Sequence, residues 1–174
     1  MLRSFVTGLF AFMAMQAASA VTPITPAHAA WSVSGSGFGP VKIGFTPEQA
    51  AKALGMTLTS DREAKPGECH YLVNKQKLVG VFFMVVEDKI VRVDVDAGTW
   101  RTAAGAHLGT TEAELKTLYP AAEMDGHPYV ETGHYFNISR AEDDAGLVFE
   151  TDGKAVTEFR GGKFGAIQWI EGCE

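Results

Sequence analysis

The chain predicts an α+β protein built from two related units, each a short helical segment packed on an antiparallel sheet, linked by one disulfide. Three observations carry that expectation. The segment Ile43-Gly44-Phe45-Thr46-Pro47-Glu48-Gln49 returns 65 residues later as Leu108-Gly109-Thr110-Thr111-Glu112-Ala113-Glu114. The turn signals Glu87-Asp88-Lys89 and Asp152-Gly153-Lys154 keep the same offset. Cys69 and Cys173 are the two cysteines of the chain.

The repeated segment is a capping box. Thr46 and Thr111 sit at the N-cap, and Gln49 and Glu114 stand three residues on, so each pair satisfies backbone donors left open at a helix start. Two such boxes in one register point to a duplicated unit.

The elements follow in order. Arg3, the apolar run from Phe5 to Met15 and the small residues Ala18-Ser19-Ala20 read as a signal peptide over 1–20, with Ala27-His28-Ala29 as a later cleavage site. The apolar run is too short to span a bilayer comfortably. Residues 21–40 read as a flexible leader, with Pro23 and Pro26 followed by the glycine-rich turn Ser34 to Pro40. No Lys-Ser or Lys-Thr follows those glycines, so they do not form a phosphate loop.

Unit one spans 41–97. Val41 to Ile43 is a short strand, and Thr46 opens a helix with Pro47 at its first position and Gly55 at its end. Ala50, Ala53 and Leu54 share one face of that helix. After a polar loop from Ser60 to Glu68 come strands at Cys69–Val73, Leu78–Val86 and Lys89–Val95, the last two forming a hairpin. Unit two and the C-terminal tail span 98–174. Thr111 opens a helix with Leu115, Leu118 and Tyr119 as its apolar positions, and Pro120 stops it. Strands are expected at His134–Ser139, Leu147–Thr151 and Lys154–Phe159, with Glu142-Asp143-Asp144 as an acidic turn and a last strand at Ala166–Ile170.

Charge and cysteines bound the function classes. The formal net charge is −6, and −7 once the segment carrying Arg3 is removed. Such a surface disfavours nucleic acid and anionic lipid. In an exported chain an even pair of cysteines most simply forms one bridge, here Cys69–Cys173. Neither stands in a Cys-x-x-Cys context, which argues against redox work. The expected location is the periplasm or outside the cell, with no membrane span.

Gly-x-Ser-x-Gly and His-Glu-x-x-His do not occur, and neither cysteine has an obvious base, so no catalytic residue or cofactor is assigned and the chain is expected not to be an enzyme. His127, Glu131 and His134 are spaced like loose metal ligands, but Pro128 breaks the helical spacing a zinc motif needs, and no metal is assigned. Arg92, Asp94 and Asp96 alternate with Val91, Val93 and Val95, which reads as a solvated face. Val81 to Val86 is apolar on both faces, so either protein covers both or one face meets a partner. Trp100, beside Arg101 in the loop joining the units, either packs under its own loop or anchors an interface; Tyr129 and Tyr135 are either half-buried or part of a contact surface. Trp100, Arg101, Tyr129 and Tyr135 are therefore the candidate partner-binding residues.

The Gly-x-Thr capping segments, the Cys69-His70-Tyr71 strand and the paired hairpins, used twice, resemble the β-lactamase inhibitory protein fold and the related small outer-membrane assembly lipoproteins. That resemblance implies tandem copies making one wide sheet, and a protein-binding module acting through exposed aromatics. The helical segments here are shorter than a full helix pair, and the lipidated cysteine of the assembly lipoproteins is missing. The expectation is an exported, non-catalytic binding module, an inhibitor of an envelope or extracellular enzyme, with a structural or assembly factor of the bacterial envelope as the alternative.

Overall fold

The computed structural model describes residues 31–140 and 144–173. The signal peptide, both cleavage sites, the leader as far as residue 30, and Glu142 and Asp143 of the acidic turn lie outside the described residues. The chain order begins with strands β1 (Ser32–Ser34), β2 (Gly37–Phe38) and β3 (Val41–Lys42), then helix α1 (Pro47–Leu54). Strands β4 (Thr59–Ser60), β5 (His70–Val73), β6 (Val81–Val86), β7 (Lys89–Val95) and β8 (Arg101–Thr102) follow. Helix α2 (Glu112–Leu118) leads into β9 (Glu123–Gly126), β10 (His134–Arg140), β11 (Ala145–Thr151), β12 (Val156–Gly162) and the short helix α3 (Phe164–Ile167).

Eight strands form one antiparallel sheet in the order β4-β5-β6-β7-β12-β11-β10-β9. Read outward from the β7–β12 seam, the two halves run through their strands in the same sequence. Each half is preceded by a capped helix. Thr46 and Thr111 both accept from the backbone of the residue three on, and Gln49 and Glu114 both reach back to the cap. The helix entrances are also tied to the sheet alike. Ile90 N donates to Phe45 O and Gly44 N to Ile90 O; Val156 N donates to Thr110 O and Gly109 N to Val156 O. Between β6 and β7 the chain turns through Glu87 and Asp88 at φ of 49° and 57°, the paired left-handed conformation of a two-residue hairpin turn.

One face of the sheet is the core. Val81, Val95, Phe159, Phe149 and Phe136 stand directly opposite one another across five strands, and all are buried. Ala50 and Leu54 of α1 and Leu115 of α2 pack onto this side. A second sheet, β3-β2-β1-β8, supplies Val33, Phe38 and Val41 to the same core. Its strand β1 crosses close to β12: a Cβ on Gly161 would lie 2.5 Å from the Ser34 carbonyl oxygen, so only glycine allows the approach.

Several expectations need correction. Residues 31–40 are not leader: they carry two strands, and Val33 and Phe38 are fully buried. Strand β6 starts at Val81 rather than Leu78, because Gly80 turns at φ 71° so close to the Ala97 backbone that a Cβ there would lie 2.4 Å from Ala97 N. Thr59–Ser60 pairs with Leu72–Val73, where a loop was expected from Ser60. Leu118 is more than a third exposed, at the end of α2. Ala166–Ile170 is not a strand: its first residues complete α3, which crosses the second face of the sheet. That crossing also changes the environment of Arg92 and Asp94, which are buried rather than solvated, while Asp96 is exposed. The same tail covers Met84, so the apolar strand is protein-covered on most of both faces.

Candidate functional site

The second face of the sheet is polar at its centre, and register explains its composition. Across the seam Asp94 stands opposite Arg160. Glu150 stands opposite Glu158 on one side and Tyr135 on the other, and Tyr135 opposite Asp125. Alternation along each strand therefore collects Arg92, Asp94, Glu150, Glu158, Arg160 and Tyr135 on one face.

Burial forces these groups to pair. Arg92 forms a 2.8 Å ion pair with Asp94 and donates to Tyr71 Oη at 3.0 Å. It also donates to the carbonyls of Ala166 at 3.0 Å and Trp169 at 2.6 Å. Arg160 donates through Nε to Ile167 O at 2.7 Å and pairs through Nη1 with Glu150. Both arginines thus bond carbonyls at the end of α3 and just beyond it, Ala166 O and Trp169 O also accepting backbone N–H groups from Trp169 and Gly172. Burial pushes the Asp94 carboxyl up, against the pull of Arg92. Burial alone would lower Arg92, but the adjoining Asp94 holds the guanidinium above its ordinary value. Glu158 has no cation in direct contact among the described residues; burial, with Glu150 and Asp94 close by, pushes its carboxyl up to about 7.

His127 extends the network. Its Nδ1 accepts from the backbone N–H groups of Tyr129 at 3.1 Å and Val130 at 3.2 Å, which puts the proton on Nε2, 3.3 Å from Glu150. Its ring stacks on Tyr135, with centroids 4.7 Å apart. Burial, with Glu150 beside it, raises the Tyr135 hydroxyl to about 12.

The tail from α3 to Cys173 is pinned to this face by the arginines and by the disulfide. Cys69 and Cys173 are bridged with their Cα atoms 5.2 Å apart. Arg62 donates to the carbonyls of both. The tail and the loop after β9 then hold large apolar groups in solvent: Tyr129 is 69% exposed, Val130 38%, and Trp169 and Ile170 45% each. Tyr129 Oη donates to Glu171, tying the loop to the tail. Between them is an open cleft of about 290 Å³, lined by Asp125, Pro128, Tyr135, Asn137, Arg160 and Ile170 among others.

The structure separates the four residues selected from sequence. Tyr129 stands on this surface. Tyr135 lies beneath it, 6% exposed, with its ring against His127 and Arg160. Trp100 is turned inward: its Nε1 donates to Val79 O at 2.8 Å and its ring meets Phe38 edge-on at 5.1 Å. Arg101 is exposed beside it, in β8 of the small sheet. His127 and His134 belong to different networks, the second bonding Glu112 at 2.8 Å. Among the described residues no group of three or more His, Cys, Asp and Glu is arranged to hold a metal. Nor, among them, is any helix long and apolar enough to cross a membrane.

Sequence reasoning missed Trp169, Ile170, Arg160 and Glu150. A usable signal existed. Arg92 and Asp94 alternate onto one face of one strand, and Glu158 and Arg160 onto one face of another, so each strand carries opposite charges two residues apart, and the structure pairs the two strands.

No protein family model matches the chain, and no curated protein does. Its fold is similar to that of the crystal structure of the uncharacterized protein yfeY from Escherichia coli, with a TM-score of 0.51 and 16% sequence identity. The match covers 76% of this chain and 99% of that one.

Proposed function

We propose that this protein is an exported, non-catalytic protein-binding module that engages and occludes an enzyme of the bacterial envelope or the extracellular space. The observation that carries this is the exposed apolar surface formed by Tyr129 and Val130 of the loop after β9 together with Trp169 and Ile170 of a tail held by a disulfide and two buried arginines. Large aromatics on a preorganised support lose little freedom on binding, and they are the usual energetic centres of protein interfaces. The resemblance to the β-lactamase inhibitory protein fold supports the same reading. So does the mirrored strand order about the β7–β12 seam, which favours two related units, 41–97 and 98–174. The disulfide favours a location in the periplasm or outside the cell.

The test is a pull-down from envelope and culture supernatant with the oxidised protein beside a Tyr129→Ala/Trp169→Ala variant. Retention of a soluble hydrolase by the first and its loss from the second, together with inhibition of that hydrolase, is the expected result. Retention by both sinks the surface assignment. Membrane-complex subunits without inhibition of any enzyme would favour the alternative, an assembly factor of the envelope.

A further inference from the structure

The geometry points to the cleft beside Tyr135 as a receptor for one cationic side chain, a lysine or arginine presented on a loop of the partner protein. This rests on the protein-binding reading above and specifies the chemistry that reading leaves open. The cleft, at about 290 Å³, lies at the floor of the ~300–1,000 Å³ range of small-molecule pockets. A single long side chain suits it better than a free metabolite. Pro128 and Ile170 offer apolar wall for an aliphatic stem.

Charge decides the sign of the occupant. Asp125 is exposed on the edge strand β9 and also lines the cleft. Asn137 donates its Nδ2 to Asp125 Oδ2 at 3.0 Å, which leaves the amide carbonyl as a further acceptor. The lining cation, Arg160, is 2% exposed, and its Nε and Nη1 are engaged by Ile167 O and Glu150. It is therefore poorly placed to draw in an anion. Glu131 lies exposed on the adjoining loop. Tyr129 and Trp169 add exposed aromatic faces, which attract cations. The acidic balance of the whole chain favours a basic partner at long range.

The oxidised protein is titrated with capped glycine pentapeptides carrying a central lysine, arginine or glutamate, followed by NMR at the Trp169 indole N–H and the Asn137 side-chain amide. The expected result is a saturable shift with the lysine or arginine peptide, none with glutamate, and affinity about fivefold or more weaker in Asp125→Asn. That variant is nearly isosteric and lies on an exposed edge, so an otherwise unchanged spectrum certifies its fold. No saturable shift, an equal response to the glutamate peptide, or wild-type affinity in Asp125→Asn overturns the proposal. A captured enzyme that Tyr129→Ala/Trp169→Ala releases and Asp125→Asn retains likewise overturns the cleft while leaving the surface intact. Peptide binding with no enzyme captured leaves the cleft and overturns the enzyme-binding reading.

Discussion

Replacing Arg92 by methionine should destabilise the protein by about 4 kcal/mol. Methionine keeps most of the stem but removes a guanidinium that pairs with Asp94 and donates to Tyr71 Oη and to the carbonyls of Ala166 and Trp169. Breaking a buried pair from one side costs about 3–5 kcal/mol, because the remaining charge stays buried without its partner. The two carbonyls add about 1 kcal/mol each if they stay covered, and less if the tail lifts into water. Asp94 limits the loss by taking up a proton, which its burial already favours. A second variant, Arg92→Met/Asp94→Leu, removes both charges and should recover about 2–3 kcal/mol relative to the sum of the single changes. Urea unfolding of the oxidised proteins, read by fluorescence and circular dichroism, gives all four corners of the cycle. A single-variant loss below about 1.5 kcal/mol, or strict additivity, would refute the view that the pair is a buried unit holding the tail.

The remaining expectations concern pH, the bridge and the caps. Glu158 is pushed up to about 7 from an ordinary value of 4.5, so the folded protein binds that proton more tightly than the unfolded chain. Its contribution to stability is full below about pH 4.5 and is lost as pH rises through about 7. Glu158→Gln should therefore melt with wild type at low pH and exceed it by about 1–3 kcal/mol above neutrality; parallel curves across that range would contradict this. Reducing Cys69–Cys173, which closes a separation of 104 residues, should cost about 4–5 kcal/mol in the chain-entropy limit and less in practice. Proteolysis should then cut first near Trp169 and Ile170, and mass spectrometry of the early fragments would test it. Thr46→Ala and Thr111→Ala should each cost about 1 kcal/mol by thermal melting, since both caps make the same pair of bonds. A loss at one cap only would separate their roles.

The elements legible in the chain were those whose signals are local. Both capping boxes, the helix end at Gly55 and the turns at Glu87-Asp88 and Asp152-Gly153 depend on residues within one or two turns of each other. The bridge was legible for a different reason: two cysteines permit one intramolecular pairing. The candidate site was only partly legible. Tyr129 was found because an aromatic residue in a loop is a candidate contact wherever the loop goes. Trp100 satisfied the same criterion, yet its indole closes onto Phe38 and Val79, contacts that span the two sheets.

What the sequence determined by itself was which residues share a face, because the period of a strand is set by its own backbone. It could not determine whether that face meets water. Arg92 and Asp94 read as a solvated stripe because alternation contains no information about what lies above it. Their burial comes from α3 and the tail, a segment more than 70 residues away. The same contact decided that Trp169 and Ile170 stand in solvent, since docking the tail through its carbonyls and Cys173 turns part of it toward the sheet and leaves the rest outside. Covering a face is a property of packing between distant segments, and only the tertiary structure supplies it.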